Sequence, residues 1–246
     1  MVGYLYHTGA RGRVRLESYS VRGLTVLSAR LPGTAERRGD RRRTARALRL
    51  LGRAGCRRLL APCALDPALP VVHTGHLWQA MAVPLALAAL RQRGIAPERA
   101  VLALRGDRPT RPYRQACLRL ARQVRALCLQ LEGGETLGWQ LQRQLGVPLL
   151  PAEEAALTLS FCPGERPEGA CLCLGGEDPA VDGFTLDLPG LALPPGCPAL
   201  PLLAALLDAG RLPLEEVQVL PLAPRLSAAC PEIPSLPEIP RQSAPR

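Results

Sequence analysis

The sequence predicts an α/β protein, with a parallel sheet carrying helices on both faces and a small α/β domain before it. Three observations lead there. Residues 100–104 are a continuous apolar run of strand length, and 126–131 and 156–161 are mainly apolar runs of strand length, interrupted by Gln130 and by Thr158 and Ser160. Segments with apolar residues at helical spacing separate the first two runs and follow the second. Strands apolar on both faces, alternating with helices, are the pattern of a covered parallel sheet.

The elements follow in order. Residues 2–7, 13–20 and 24–29 read as strands: Tyr4, Leu5 and Tyr6 are good strand formers, and Val14, Leu16 and Ser18 alternate with Arg13, Arg15 and Glu17. Gly9, Gly12 and Gly23 punctuate them, so an antiparallel meander is expected. Leu31-Pro32-Gly33-Thr34 stops the sheet, with Thr34 as an N-cap. A helix then runs to about Ala54 and ends at Gly55. It turns Ala45, Leu48 and Leu51 inward and Arg41, Arg42, Arg43, Arg46, Arg49 and Arg53 outward. Residues 59–61 form a short buried strand, and 62–70 a Pro-rich loop. A second helix is expected over 76–93, apolar nearly all round and so buried, with Pro84 kinking it or marking its true start.

The strand at 100–104 leads into the loop Arg105-Gly106-Asp107-Arg108-Pro109-Thr110-Arg111, and Pro112 takes the first position of the next helix. That helix places Tyr113, Cys117, Leu120 and Val124 inward. A strand at 126–131, a helix at 135–145 stopped by Gly146, and strands at 147–150, 156–161, 170–174 and 184–188 come next. A helix near 199–209 and a strand at 217–220 precede the end, where Pro231, Pro234, Pro237 and Pro240 recur at polyproline II spacing. The expected divisions are a small α/β domain at 1–95, a parallel-sheet domain at 96–220 and a flexible Pro-rich tail at 221–246.

Charge is unevenly spread. All 31 basic residues are Arg against 21 acids, and residues 1–150 carry +18 while 151–246 carry −8. Such asymmetry fits a polyanion site, a partner chain or attraction between the two parts. An all-Arg chain rich in Ala, Gly and Pro is also what a GC-rich coding sequence yields. Several of the nine Cys sit in apolar runs, as in Leu127-Cys128-Leu129, and no CxxC pair exists. The start lacks the apolar run of a signal peptide, and the longest apolar stretch, 80–90, is too short to span a bilayer. A cytoplasmic protein with no membrane partner is expected.

Chemistry is expected beyond the carboxyl ends of the parallel strands, which here means the loop 105–111. Glu132, just past the next strand, has the spacing of a ribose-binding carboxylate. This order resembles the Rossmann domain of dehydrogenases, especially the shikimate dehydrogenase and glutamyl-tRNA reductase type, over roughly residues 98–190. Residues 156–164, ending in Phe161-Cys162-Pro163-Gly164, look like that family's fourth strand and the loop beside the nicotinamide. The resemblance implies a Rossmann-like parallel sheet, NAD or NADP as any cofactor, and Arg105, Gly106, Arg108, Arg111, Glu132 and Cys162 as the residues around it. The departures are specific. One glycine, Gly106, stands where G-x-G-x-x-G has three, Pro112 removes a helix N–H, and no Lys exists for a catalytic Lys–Asp pair.

The expectation is therefore a degenerate nucleotide-binding fold acting as a non-catalytic binding or regulatory module, with a nucleotide or a protein as partner. An NAD(P)-dependent oxidoreductase is the alternative. A further alternative is an Arg-dependent nucleic-acid binder through Arg42, Arg46 and Arg49; scarce aromatics and the lack of any nucleic-acid-binding signature argue against it. His73 and His76 lie three apart, but no third metal ligand is fixed by spacing, so a capping or interdomain role is expected for His76. No nucleophile elbow or P-loop is present.

Overall fold

A computed structural model describes residues 1–8, 12–33, 40–61, 69–164, 170–177, 179 and 181–222. The expected cap at Thr34 and the Pro-rich tail from residue 223 lie outside the described residues.

The first sheet contains β1 (Val2–His7), β2 (Arg15–Val21), β3 (Leu24–Leu31) and β4 (Arg58–Leu59), in the order β2-β3-β1-β4. The expected meander is corrected here. Only β2 and β3 form an antiparallel hairpin, closed by Arg22 and Gly23, which both have positive φ as a two-residue hairpin turn requires. β1 pairs in parallel with both β3 and β4. Burial explains the placement: Val2, Gly3 and Tyr4 are all buried, so β1 takes a central position, whereas β2 alternates toward solvent and takes the edge.

Helix α1 (Asp40–Arg53) lays Ala47 and Leu51 on Leu27, Ala29 and Leu31 of β3. The helix expected over 76–93 is two helices, α2 (Gly75–Ala80) and α3 (Ala82–Gln92), broken at Met81. Pro84 cannot donate to the carbonyl of Ala80, and its ring would strike that group, so the ladder restarts three residues before it. α3 is largely buried: Val83, Leu85, Ala86, Ala89 and Leu90 are buried, Pro84, Leu87 and Ala88 half-buried, and Arg91 and Gln92 at its end exposed.

The second sheet is wholly parallel. It holds β5 (Val101–Gly106), β6 (Ala126–Leu131), β7 (Leu157–Ser160) and β8 (Cys171–Cys173), in the order β6-β5-β7-β8. Helix α4 (Arg111–Leu120) connects β5 to β6, and α5 (Glu135–Leu145) follows β6 and ends at Gly146 with φ 64°. The strand expected at 147–150 is reduced to a single parallel bridge between Leu149 and Leu127. Pro148 and Pro151 on either side lack the donors a longer ladder needs. That bridge lies outside β6, so the chain order reverses between β5 and β7, as in a Rossmann-like sheet. Leu102, Leu104, Leu127, Leu157 and Leu159 form one apolar cluster with residues of α3, α4 and α5.

The run at 184–188 does not join this sheet. β9 (Phe184–Asp187) and β10 (Gln218–Pro221) form a separate antiparallel pair. Phe184 and Leu186 are buried, Thr185 is half-buried and Asp187 is exposed, the one-sided pattern of an antiparallel ribbon. α6 (Ala199–Asp208) lies between them in sequence. The same apolar cluster also takes in Val2, Tyr4 and Val26 of the first sheet, so both sheets share one core. Tyr4 seals it by donating its hydroxyl to the Pro195 carbonyl at 2.8 Å. Among the described residues, no helix is long and apolar enough to cross a membrane.

Burial leaves a chemical signature. It pushes the thiols of Cys117 and Cys197 up to about 12, and the Tyr4 phenol likewise to about 12. A group with a raised folded-state pKa stabilises the fold fully below its unfolded value and ceases to do so as pH rises through the folded one. Starting from 9.0 for the thiols and 10.0 for the phenol, the loss falls between pH 9 and about 12. Melting temperatures under reducing conditions are expected to be unaffected by these groups from pH 7 to 9 and to fall above that. A flat profile to pH 11 would contradict this burial.

Candidate functional site

A cleft of about 350 Å3 opens where the chain order reverses, at the carboxyl ends of β5 and β7. Its lining comes from three places. The β5–α4 turn supplies Gly106, Asp107, Arg108 and Thr110; the segment after β7 supplies Phe161 and Pro163; α2 supplies Gln79. Ligands of open parallel sheets bind at this position because two neighbouring loops leave in opposite directions and separate there.

Local chemistry shapes the turn. Thr110 is the N-cap of α4, its hydroxyl accepting the Tyr113 N–H at 3.4 Å. Tyr113 is fully buried and donates its own hydroxyl to the Leu104 carbonyl at 3.0 Å. Its ring meets Phe161 edge-on, with centroids 5.3 Å apart. A Cβ on Gly106 would lie 3.0 Å from two atoms of that ring. The glycine is therefore needed by the tyrosine beneath it. α4 also leaves few donors for an anion: Pro112 has none, Tyr113 donates to the Thr110 side chain and Arg114 to the Thr110 carbonyl at 3.0 Å.

Glycines fix the cleft's third wall. Gly75, opening α2, donates its N–H to the Glu177 carbonyl at 2.7 Å, and a Cβ there would overlap the Gly176 carbonyl oxygen. A Cβ on Gly175 would overlap the backbone of Cys162 and Phe161. Thus α2, residues 175–177 and the segment after β7 stack backbone on backbone. Gln79 is tied to the same stack, its Nε2 donating to the Leu174 carbonyl at 3.2 Å.

Of the residues singled out in the sequence, Gly106 and Arg108 line the cleft. Arg105 stands on the opposite side of β5 from Gly106, beside Ser160 and Gln130 in register. There burial raises the Cys171 thiol and the Arg105 cation opposes the rise. Arg111 begins α4 and is exposed. Glu132 is exposed past the end of β6. Cys162 is buried, with its N–H donated to Ser160 Oγ at 3.3 Å. None of these four lines the cleft. Asp107 and Thr110 fall in the loop 105–111, and Phe161 and Pro163 in the segment 156–164, where the sequence placed the site without singling them out; Gln79 lay outside both segments and was missed. The Thr110–Pro112 capping pattern could have identified Thr110; nothing local connects Gln79 to a strand end some eighty residues away.

The two histidines diverge. His73 Nε2 lies 3.4 Å from Glu177, whereas His76 Nε2 lies 3.0 Å from Asp208 and 3.3 Å from the Ala204 carbonyl, joining α2 to α6. Among the described residues no group of three or more His, Cys, Asp or Glu is placed to hold a metal. The arginines Arg42, Arg46 and Arg49 are exposed on the outer face of α1, away from the cleft lining.

Among the described residues, Asp107 and Arg108 are the charged groups of the lining, which includes no His, Cys or Ser. Asp107 could accept a proton, but among the described residues no second acid lines the cleft, and the lining's one hydroxyl, on Thr110, caps α4 by accepting the Tyr113 N–H. The lining offers a guanidinium, an amide and an aromatic ring, groups that suit binding. No family model matches the chain, and no curated protein matches it in sequence.

Proposed function

We propose that this protein is a non-catalytic binding or regulatory module, built on a Rossmann-like scaffold whose nucleotide site is degenerate. The observation that carries this reading is the Tyr113 ring beneath Gly106. It occupies the ground where a dinucleotide-binding turn keeps close glycines, and it holds the single glycine for packing instead. The self-capped start of α4 and the exposed position of Glu132 support the same reading. At about 350 Å3 the cleft is at the small end of ligand sites, which favours a compact ligand gripped by Arg108 and Gln79 over a whole dinucleotide.

A thermal-shift panel with NAD(H), NADP(H), ATP and S-adenosylmethionine tests it. A ligand at about 100 times its Kd adds roughly 2.7 kcal/mol, or about 5–10 °C for a chain of this size. No shift is expected with either dinucleotide. A dinucleotide shift of that size, lost in Arg108→Ala, would overturn the proposal in favour of an NAD(P)-dependent oxidoreductase. A shift with ATP alone, lost in the same variant, would give the module its ligand class.

A further inference from the structure

We propose that the outer face of α1 is a docking surface for the phosphate backbone of duplex nucleic acid. Along this helix Arg42, Arg46, Arg49 and Arg53 follow one another at intervals of four, three and four residues. Those intervals place them within about 60° of arc and along about 16 Å of axis. Ala47 and Leu51, on the opposite side, are fully buried against β3. Burial of that side fixes the arginine stripe outward.

Among the described residues the stripe is also uncompensated. All four side chains are exposed, and none meets a carboxylate among the described residues. Among the described residues Arg49 bonds its own helix alone, Nε donating to the Ala45 carbonyl. After Asp40 the helix has no acidic residue, and Arg57 adds a further exposed cation just beyond it. Like charges at i+3 and i+4 repel one another, so the free helix gains nothing from this arrangement, whereas a row of phosphates would neutralise it.

The chemistry selects among polyanions. A membrane-surface helix must offer its apolar side to lipid, and here that side is in the core. Protein interfaces are typically anchored by exposed apolar or aromatic side chains; among the described residues Met1, Trp139, Leu193, Leu220 and Leu222 are the exposed large apolar ones, and none is on α1. Single strands are held by stacking on aromatics, which this face lacks. What remains is a rigid row of guanidinium groups that suits the regular phosphates of a duplex, DNA or RNA. Binding through phosphates carries no base readout, so affinity should not depend on sequence.

The test uses the full chain and fluorescence anisotropy on labelled duplex DNA, the matching duplex RNA, a single strand, and vesicles of anionic lipid. Four phosphate contacts imply a slope of about −3.6 in log affinity against log salt, a loss of roughly 150-fold between 50 and 200 mM. The combined Arg42→Gln, Arg46→Gln, Arg49→Gln and Arg53→Gln variant should lose that slope, and Arg46→Gln alone should reduce it by about 0.9. A control with equal charge loss elsewhere, at the exposed Arg91, Arg114, Arg119 and Arg122, should retain it. Melting temperatures of the α1 variants should be unchanged or higher, since repulsion is relieved. Comparing the two duplexes identifies which nucleic acid is preferred. Absence of duplex binding at low salt, equal loss in the control, or tighter binding to the single strand or the vesicles would each overturn the proposal.

Discussion

Gly175→Ala is expected to lower the melting temperature by about 6–12 °C, from a destabilisation of about 3 kcal/mol or more. The added methyl would overlap the carbonyl carbon and oxygen of Cys162 and the carbonyl oxygen of Phe161. These are backbone atoms, so no rotamer change relieves the overlap. The segment carrying Phe161 and Pro163 must move, and with it one wall of the cleft. Gly52 supplies the contrast. It lies in α1 with open space where its Cβ would be, and Gly52→Ala is expected to stabilise the protein by about 0.5–1 kcal/mol. Thermal melts of the two variants check both signs; a shift of less than a degree or two in Gly175→Ala would refute the packing described for residues 175–177.

Truncating Tyr113 should have an effect of similar size from the opposite cause. Tyr113→Ala empties a fully buried site beside Phe161 and beneath Gly106, at an expected cost of about 3–5 kcal/mol. Tyr113→Phe keeps the ring and removes only the hydroxyl bonded to the Leu104 carbonyl, a loss of about 1–1.5 kcal/mol. Denaturant unfolding of both variants measures the ring and the hydroxyl separately. If the two lose equal stability, the hydrogen bond, and not the packing, holds the turn. That result would weaken the explanation given for the single glycine.

The elements signalled by local chemistry were legible in the sequence. Gly55 and Gly146 lie just past α1 and α5 with positive φ, and the strands expected at 100–104 and 126–131 match β5, within a residue at its start, and β6. Pairing was less legible, because partners are chosen by non-local burial. Nothing in residues 2–31 states that β1 runs parallel to β3, and Val147 to Leu150 have strand composition but prolines where donors are needed. The cleft was legible where one turn builds it, as with Gly106 and Arg108. It was illegible where a distant element completes it: Gln79 arrives on α2, positioned by a glycine contact to residues 176 and 177.

The chain's last described segments return to its first. Tyr4 reaches Pro195, Arg22 pairs with Glu216 at 2.6 Å, and Arg58 with Asp208 at 2.5 Å. During synthesis the first sheet therefore leaves the ribosome long before its covering does. Val2, Tyr4 and Val26 must wait for some two hundred residues before their core is closed. Contacts of such sequence separation form late and slowly, and their apolar surface is open to chaperones in the interval. A nascent chain stalled near residue 100 should accordingly be protease-sensitive throughout, and resistance should appear only once α6 and β10 have emerged.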